Sequence, residues 1–177
     1  MIKRILSLGA AALATLVGGC GDGPSVVAGG YRSPATWSSF IYATRSGPLL
    51  LRVLGDPFRA GPAETGQAVA ESMAGALPGR PFVLTLRPEE ASAAQFRVVV
   101  ALGAPAGLDE RSLCAGPAPV LAPVVAGGRV DLIAVFCDGD GVLSSVRGWV
   151  AKVEGPGDRR FHQLLGQAAR EMIGSEP

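Results

Sequence analysis

From residue 49 onward, apolar and polar positions mostly alternate with period two, which is the rhythm of strands. Leu49 to Leu54 (LLLRVL) puts Leu49, Leu51 and Val53 on one face and Leu50, Arg52 and Leu54 on the other. A strand apolar on both faces belongs inside a sheet. Gly55-Asp56-Pro57 ends it, because proline biases the residue before it and glycine frees the backbone. Phe82 to Arg87 alternates through Phe82, Leu84 and Leu86, and Gln95 to Leu102 through Phe96, Val98, Val100 and Leu102, with a helical turn or loop over 88–94 between them. Arg129 to Cys137 shows Val130, Leu132, Ala134 and Phe136 on one face. Val142 to Val153 returns as a long strand on which Val142, Val146 and Val150 are expected to share a face.

Two segments change to a helical period. Residues 62–77 repeat Val69, Met73 and Leu77, with Pro62 and Glu64 suited to a first turn and Pro78-Gly79 as a stop. Residues 159–174 carry Phe161, Leu164, Leu165, Ala168, Ala169, Met172 and Ile173 as one amphipathic stripe, and Asp158 is placed to cap them. The aromatic-rich piece Trp37 to Tyr42 reads as a first short strand or core plug, and residues 103–128 as a long Pro/Gly-rich connection. The order strand, strand, helix, strand, strand, strand, strand, helix predicts an α+β fold: a two-layer sandwich with two helices on one face of a mainly antiparallel sheet.

The N-terminus follows a different logic. Lys3 and Arg4 precede an uncharged, mostly apolar stretch from Ile5 to Gly19, which is shorter than the roughly 20 residues a bilayer span needs. It ends in Val17-Gly18-Gly19-Cys20. Positive n-region, apolar h-region and small residues before a cysteine resemble, over residues 1–22, the signal and lipobox of bacterial lipoprotein precursors, with Val17 where leucine is commonest in that family. The resemblance implies removal of residues 1–19 and a lipid on Cys20, which becomes the first mature residue. It also implies an outer-membrane destination, facing the periplasm, since Asp22 rather than residue 21 is acidic. An ordinary signal cut after Ala14 and an uncleaved anchor are the competing readings. Residues 20–36, rich in Gly, Ser and Pro, read as a flexible tether, and 37–177 as a single domain. The layout of that domain resembles small envelope lipoproteins, including the lipopolysaccharide-assembly lipoprotein family and several uncharacterised families, in architecture alone.

Composition narrows the chemistry. With 48% hydrophobic and 18% charged residues the chain can build a core. A net charge of +1, turning to −1 if Lys3 and Arg4 are removed, offers no basic field, and 6% aromatics are too few for stacking platforms, so nucleic acid is not an expected partner. Beyond Cys20, Cys114 and Cys137 stand 23 positions apart. In an exported chain they are expected to form a disulfide worth about 3 kcal/mol; buried thiols and metal ligation are the alternatives, the latter weakened by a single histidine, His162, and no C-x-x-C. No metal and no cofactor are expected.

Asp138-Gly139-Asp140-Gly141 suits a tight hairpin. A calcium loop would want an acid and a closing Glu where Val142 and Trp149 stand. Glu89-Glu90 and the Asp109-Glu110-Arg111 cluster read as solvated surface, and His162 as a satisfied or solvated side chain. No nucleotide-binding, serine-hydrolase or zinc-protease motif is present. Any enzyme would have to gather groups such as Arg52, Asp56, Asp131 and Arg147 into a cleft.

The expected function is therefore a lipid-anchored, non-catalytic envelope protein, attached to the membrane through its N-terminal lipid, that binds an envelope protein partner or supports an assembly. The alternative is a periplasmic binder of lipid or another apolar small molecule, with a pocket between sheet and helices.

Overall fold

The computed structural model describes residues 21–121, 123 and 127–174; residues 1–19, expected as a signal, and Cys20, expected to carry lipid, lie outside the described residues. Among the described residues six strands and four α-helices follow one another as β1 (Ser25–Arg32), α1 (Thr36–Thr44), β2 (Leu49–Leu54), α2 (Pro62–Ala74), β3 (Leu84–Thr85), β4 (Phe96–Leu102), α3 (Glu110–Ala115), β5 (Gly128–Asp138), β6 (Gly141–Val153) and α4 (Arg159–Ile173). The strands form one sheet in the order β1-β6-β5-β4-β2-β3. β1, β6, β5 and β4 pair antiparallel, whereas β2 pairs parallel with both β4 and β3. The α+β class and the mainly antiparallel sheet match the periodicity.

The main core lies under α1, α2 and α4. Phe161, Leu164, Leu165, Ala168, Ala169 and Met172 of α4 are fully buried there with Val98, Val100, Leu132 and Phe136 of the sheet. Each large apolar side chain so buried contributes about 1.5–3 kcal/mol. Asp158 caps α4 as its sequence position suggests, accepting from the Arg160 amide at 2.8 Å. At the other end Arg32, on β1, donates to the carbonyls of Glu171 and Met172 at 2.7 and 3.0 Å. A cation there also complements the negative end of the helix dipole.

Several expectations are corrected. Residues 20–36 were expected as a tether, but Ser25–Arg32 form β1, an edge strand in register with β6. Its glycines serve packing, not looseness: a Cβ on Gly29 would stand 2.2 Å from Ser145 Oγ. Trp37 to Tyr42 is part of helix α1, not a strand, because Thr36, Phe40 and Ala43 fall on one buried face at helical spacing. Three helices therefore cover the main face rather than two. Residues 82–87 pair with β2 only at Leu84–Thr85, and Leu86 is exposed. The helix foreseen over 62–77 stops at Ala74, with Leu77 buried beyond its end.

On β6 the register shifts between the partners Phe136 and Cys137, so Val142 lies opposite Cys137 while Ala134 faces Val146. Val142 thus packs on the second face, away from Val146 and Val150. The turn before it is the expected hairpin: Gly139 takes φ +53° and donates its amide to the Gln95 carbonyl at 2.9 Å. Among the described residues no helix is long and apolar enough to cross a membrane.

Candidate functional site

The second face of the sheet is covered differently. There the long connection after β4, whose composition reads as a loop, folds into α3. Its start is written in Asp109, whose carboxylate accepts from the Arg111 amide at 3.0 Å. Leu113 and Cys114 then turn inward against Val99, Ala101, Ile133 and Val135. Cys114 and Cys137 form the expected disulfide, with Cα atoms 5.7 Å apart, fastening α3 to β5. Arg97 of β4 donates to the Cys114 carbonyl at 2.6 Å.

The cluster Asp109-Glu110-Arg111 is not simply solvated surface. Glu110 is buried, 4% exposed. Its Oε2 accepts from the Gly30 amide at 3.0 Å and from the Ser145 hydroxyl, and its Oε1 accepts from Arg147 Nε at 2.8 Å. Ser145 Oγ in turn accepts from the Tyr31 amide at 3.1 Å. The remaining guanidinium nitrogens of Arg147 donate to the carbonyls of Ala106 and Leu108 at 2.9 and 2.8 Å. One carboxylate and one guanidinium thus tie α3, its approach, β6 and the irregular end of β1 together. A burial of this kind is tolerable because every charge has partners.

Beside this network the sheet face is open. A cleft of about 770 Å³ lies between residues 103–106, the start of β5, the middle of β6 and β1. Val27, Pro105, Ile133 and Trp149 supply apolar surface, with Arg129 and Asp131 also at its lining. Arg129 Nε and Nη2 both donate to Asp131 Oδ1, at 2.9 and 2.7 Å, and the guanidinium lies 5.1 Å from the Trp149 ring centroid. Val27 is 46% exposed.

The four groups suggested for an enzyme divide between places. Asp131 and Arg147 border the cleft, each already paired. Arg52 is exposed on β2. Asp56 shapes the connection into α2, accepting from the amides of Ala60 and Gly61 at 3.2 and 2.8 Å and from the Thr65 hydroxyl at 3.0 Å. Burial pushes its carboxyl up, but the hydrogen bonds from Gly61, Thr65, Ala60 and Phe58 outweigh that and hold it below its ordinary value. Glu90 is likewise lowered, chiefly by the Thr85 hydroxyl it accepts from.

His162 meets Ser72 with Nδ1 2.9 Å from Oγ. That hydroxyl also lies 2.6 Å from the Ala68 carbonyl. A carbonyl has no proton to give, so the serine proton goes to Ala68 and Nδ1–H donates to the hydroxyl. The pair joins α2 to α4 with its nucleophile's proton already committed. Among the described residues no three His, Cys, Asp or Glu side chains converge as a metal site.

The cleft can hold an apolar or uncharged group by contact, since its charged members already neutralise each other. Sequence reasoning missed Trp149, Val27 and Glu110. The signal for Trp149 was present: Arg147 and Trp149 alternate on the face of β6 opposite Val146 and Val150. Glu110 had none, because its partners are 35, 37 and 80 positions away.

No protein-family model matches the chain, and no curated protein matches it. Among solved structures it aligns with the PelC dodecamer of Paraburkholderia phytofirmans at 9% identity and with a single-substitution variant of that dodecamer at 10%. Each alignment covers 86% of this chain and 99% of that one with a TM-score of 0.43. A likeness of that size says nothing about what this chain does.

Proposed function

We propose that the chain is an exported domain, held to a membrane of the bacterial envelope by lipid on Cys20 and working by binding rather than by catalysis. Its partner is an envelope protein, and the outer membrane, with the domain facing the periplasm, is its proposed site. The lipobox-like end of the signal supports the anchoring. The observation that carries the binding role is the state of the charges around the cleft: Arg129 is spent on Asp131, and Arg147 on Glu110 and two carbonyls. Such groups shape a surface and leave its apolar patch for contact. The same walls favour a second reading, an apolar small molecule in the cleft, on the opposite face of the sheet from the pocket first expected.

The test is photocrosslinking in living cells from position 27, at the cleft, with position 83, exposed elsewhere, as control. The expected result is one recurrent envelope protein joined to position 27 and not to position 83. Recovery of the uncrosslinked chain alone, at native abundance, overturns the protein-partner reading. Labelled palmitate should enter the wild-type chain and not Cys20→Ser; equal labelling of both, or of neither, removes the anchor.

A further inference from the structure

The first described residues do not lead away from the fold. Asp22 accepts the Ala151 amide at its carbonyl (3.4 Å), its carboxylate pairs with Lys152, and Ser25 stands opposite Trp149 in the β1–β6 register. Cys20 precedes Asp22 by two residues, a reach of at most about 7 Å of extended chain. Asp22 lies at the end of the sheet where the cleft is, so a lipid on Cys20 would be tied within that reach of it. Gly128, which lines the cleft, is the register partner of Val153 at that same end.

We infer that this cleft is the domain's membrane-docking site, and that it takes an acyl chain of a bilayer phospholipid while the lipid on Cys20 holds the domain in place. The inference rests on the anchoring proposed above and takes the second reading of the cleft, an apolar occupant, in place of the protein partner, so a recurrent protein crosslink from position 27 overturns it. Three observations carry it. The chain enters the fold beside the cleft. Val27, Pro105, Ile133 and Trp149 make much of the wall apolar, and Val27 is nearly half exposed to solvent. The charges present form internal pairs, which removes the free cation that an anionic headgroup would seek and the free acid that would repel it. Trp149, apolar in body and carrying one N–H, is the side chain suited to the boundary between acyl chains and headgroups.

The chain has two tryptophans, Trp37 and Trp149. Trp37 lies on α1, over the other face of the sheet, so each reports a different side. Full-length lipidated protein would be placed in phosphatidylethanolamine–phosphatidylglycerol vesicles with brominated acyl chains, as Trp37→Phe and as Trp149→Phe. Trp149 should lose most of its emission, and Trp37 little, relative to unbrominated vesicles. Adding Val27→Glu to Trp37→Phe should restore the emission while leaving the lipid on Cys20. Equal quenching of both tryptophans, or none at Trp149, overturns the inference. So does quenching of Trp149 by brominated fatty acid in the absence of vesicles at the same level as on them, which would mark a soluble carrier. The mass of the N-terminal peptide from the same sample separates the two proposals. Lipid present with Trp149 unquenched sinks the docking alone; lipid absent sinks both.

Discussion

Glu110 shows how much one side chain can organise. The residue is 4% exposed, and from helix α3 its carboxylate meets an amide, a hydroxyl and a guanidinium on strands β1 and β6. Glu110→Ala would leave Arg147 without its partner and the Gly30 amide unpaired, at a cost of about 3 kcal/mol, the low end for a buried pair because Arg147 keeps some solvent. A fall in urea midpoint of the corresponding size checks this, with Glu110→Gln expected to lose less; an unchanged midpoint for the alanine variant refutes it. Asp56 gives the pH dependence. Its folded carboxyl sits below the ordinary value of 3.8, so the stability it contributes is complete above that pH and is lost as pH falls through the folded value. Thermal melts below pH 4 should therefore show wild type losing its advantage over Asp56→Ala, while the gap stays constant from pH 5 to 7. A gap that widens on acidification would refute the assignment.

At the scale of elements, legibility followed the range of the forces. The strand faces of β2, β4 and β5 and the stripe of α4 were read correctly because each buries one regular side against a continuous core. The edge strand β1 was misread because its Gly29 and Gly30 answer to Ser145 and Glu110, 116 and 80 positions away and invisible in local composition. Helix α1 was misread because aromatic residues favour strands, yet Phe40 packs edge-on against Phe82 at 5.1 Å from a helical face. Helix α3 announced its cap, Asp109, but six residues are too few for a period. The cleft followed from none of these, since it is the area α3 leaves uncovered. The disulfide holds that short helix in place. Cys114→Ala with Cys137→Ala should cost about 3 kcal/mol, and hydrogen exchange should rise over α3 and residues 104–108 while α4 stays protected. Uniform protection across both would show that the bridge is dispensable to α3.

Across the described molecule, residues 22–32 belong to the fold. Arg32 donates to the last carbonyls of α4, and Gly174 leaves the room it occupies: a Cβ there would stand 2.1 Å from Arg32 Nη2. Native digestion with trypsin should therefore spare the bond after Arg32 and cut first after residues such as Arg59, exposed between β2 and α2. Early cleavage after Arg32 would restore the tether that composition suggested.

The latch of Asp22 onto β6 also sets a working distance. A flexible leash over the 16 residues from Gly21 to Thr36 would have let the globule roam about 20–24 Å from its point of attachment. With the leash folded away, a body whose radius of gyration is about 15 Å would sit flush on the lipid anchor proposed at Cys20. Held so, it would not fish across the periplasm, and whatever it served would have to come within arm's length of the same leaflet.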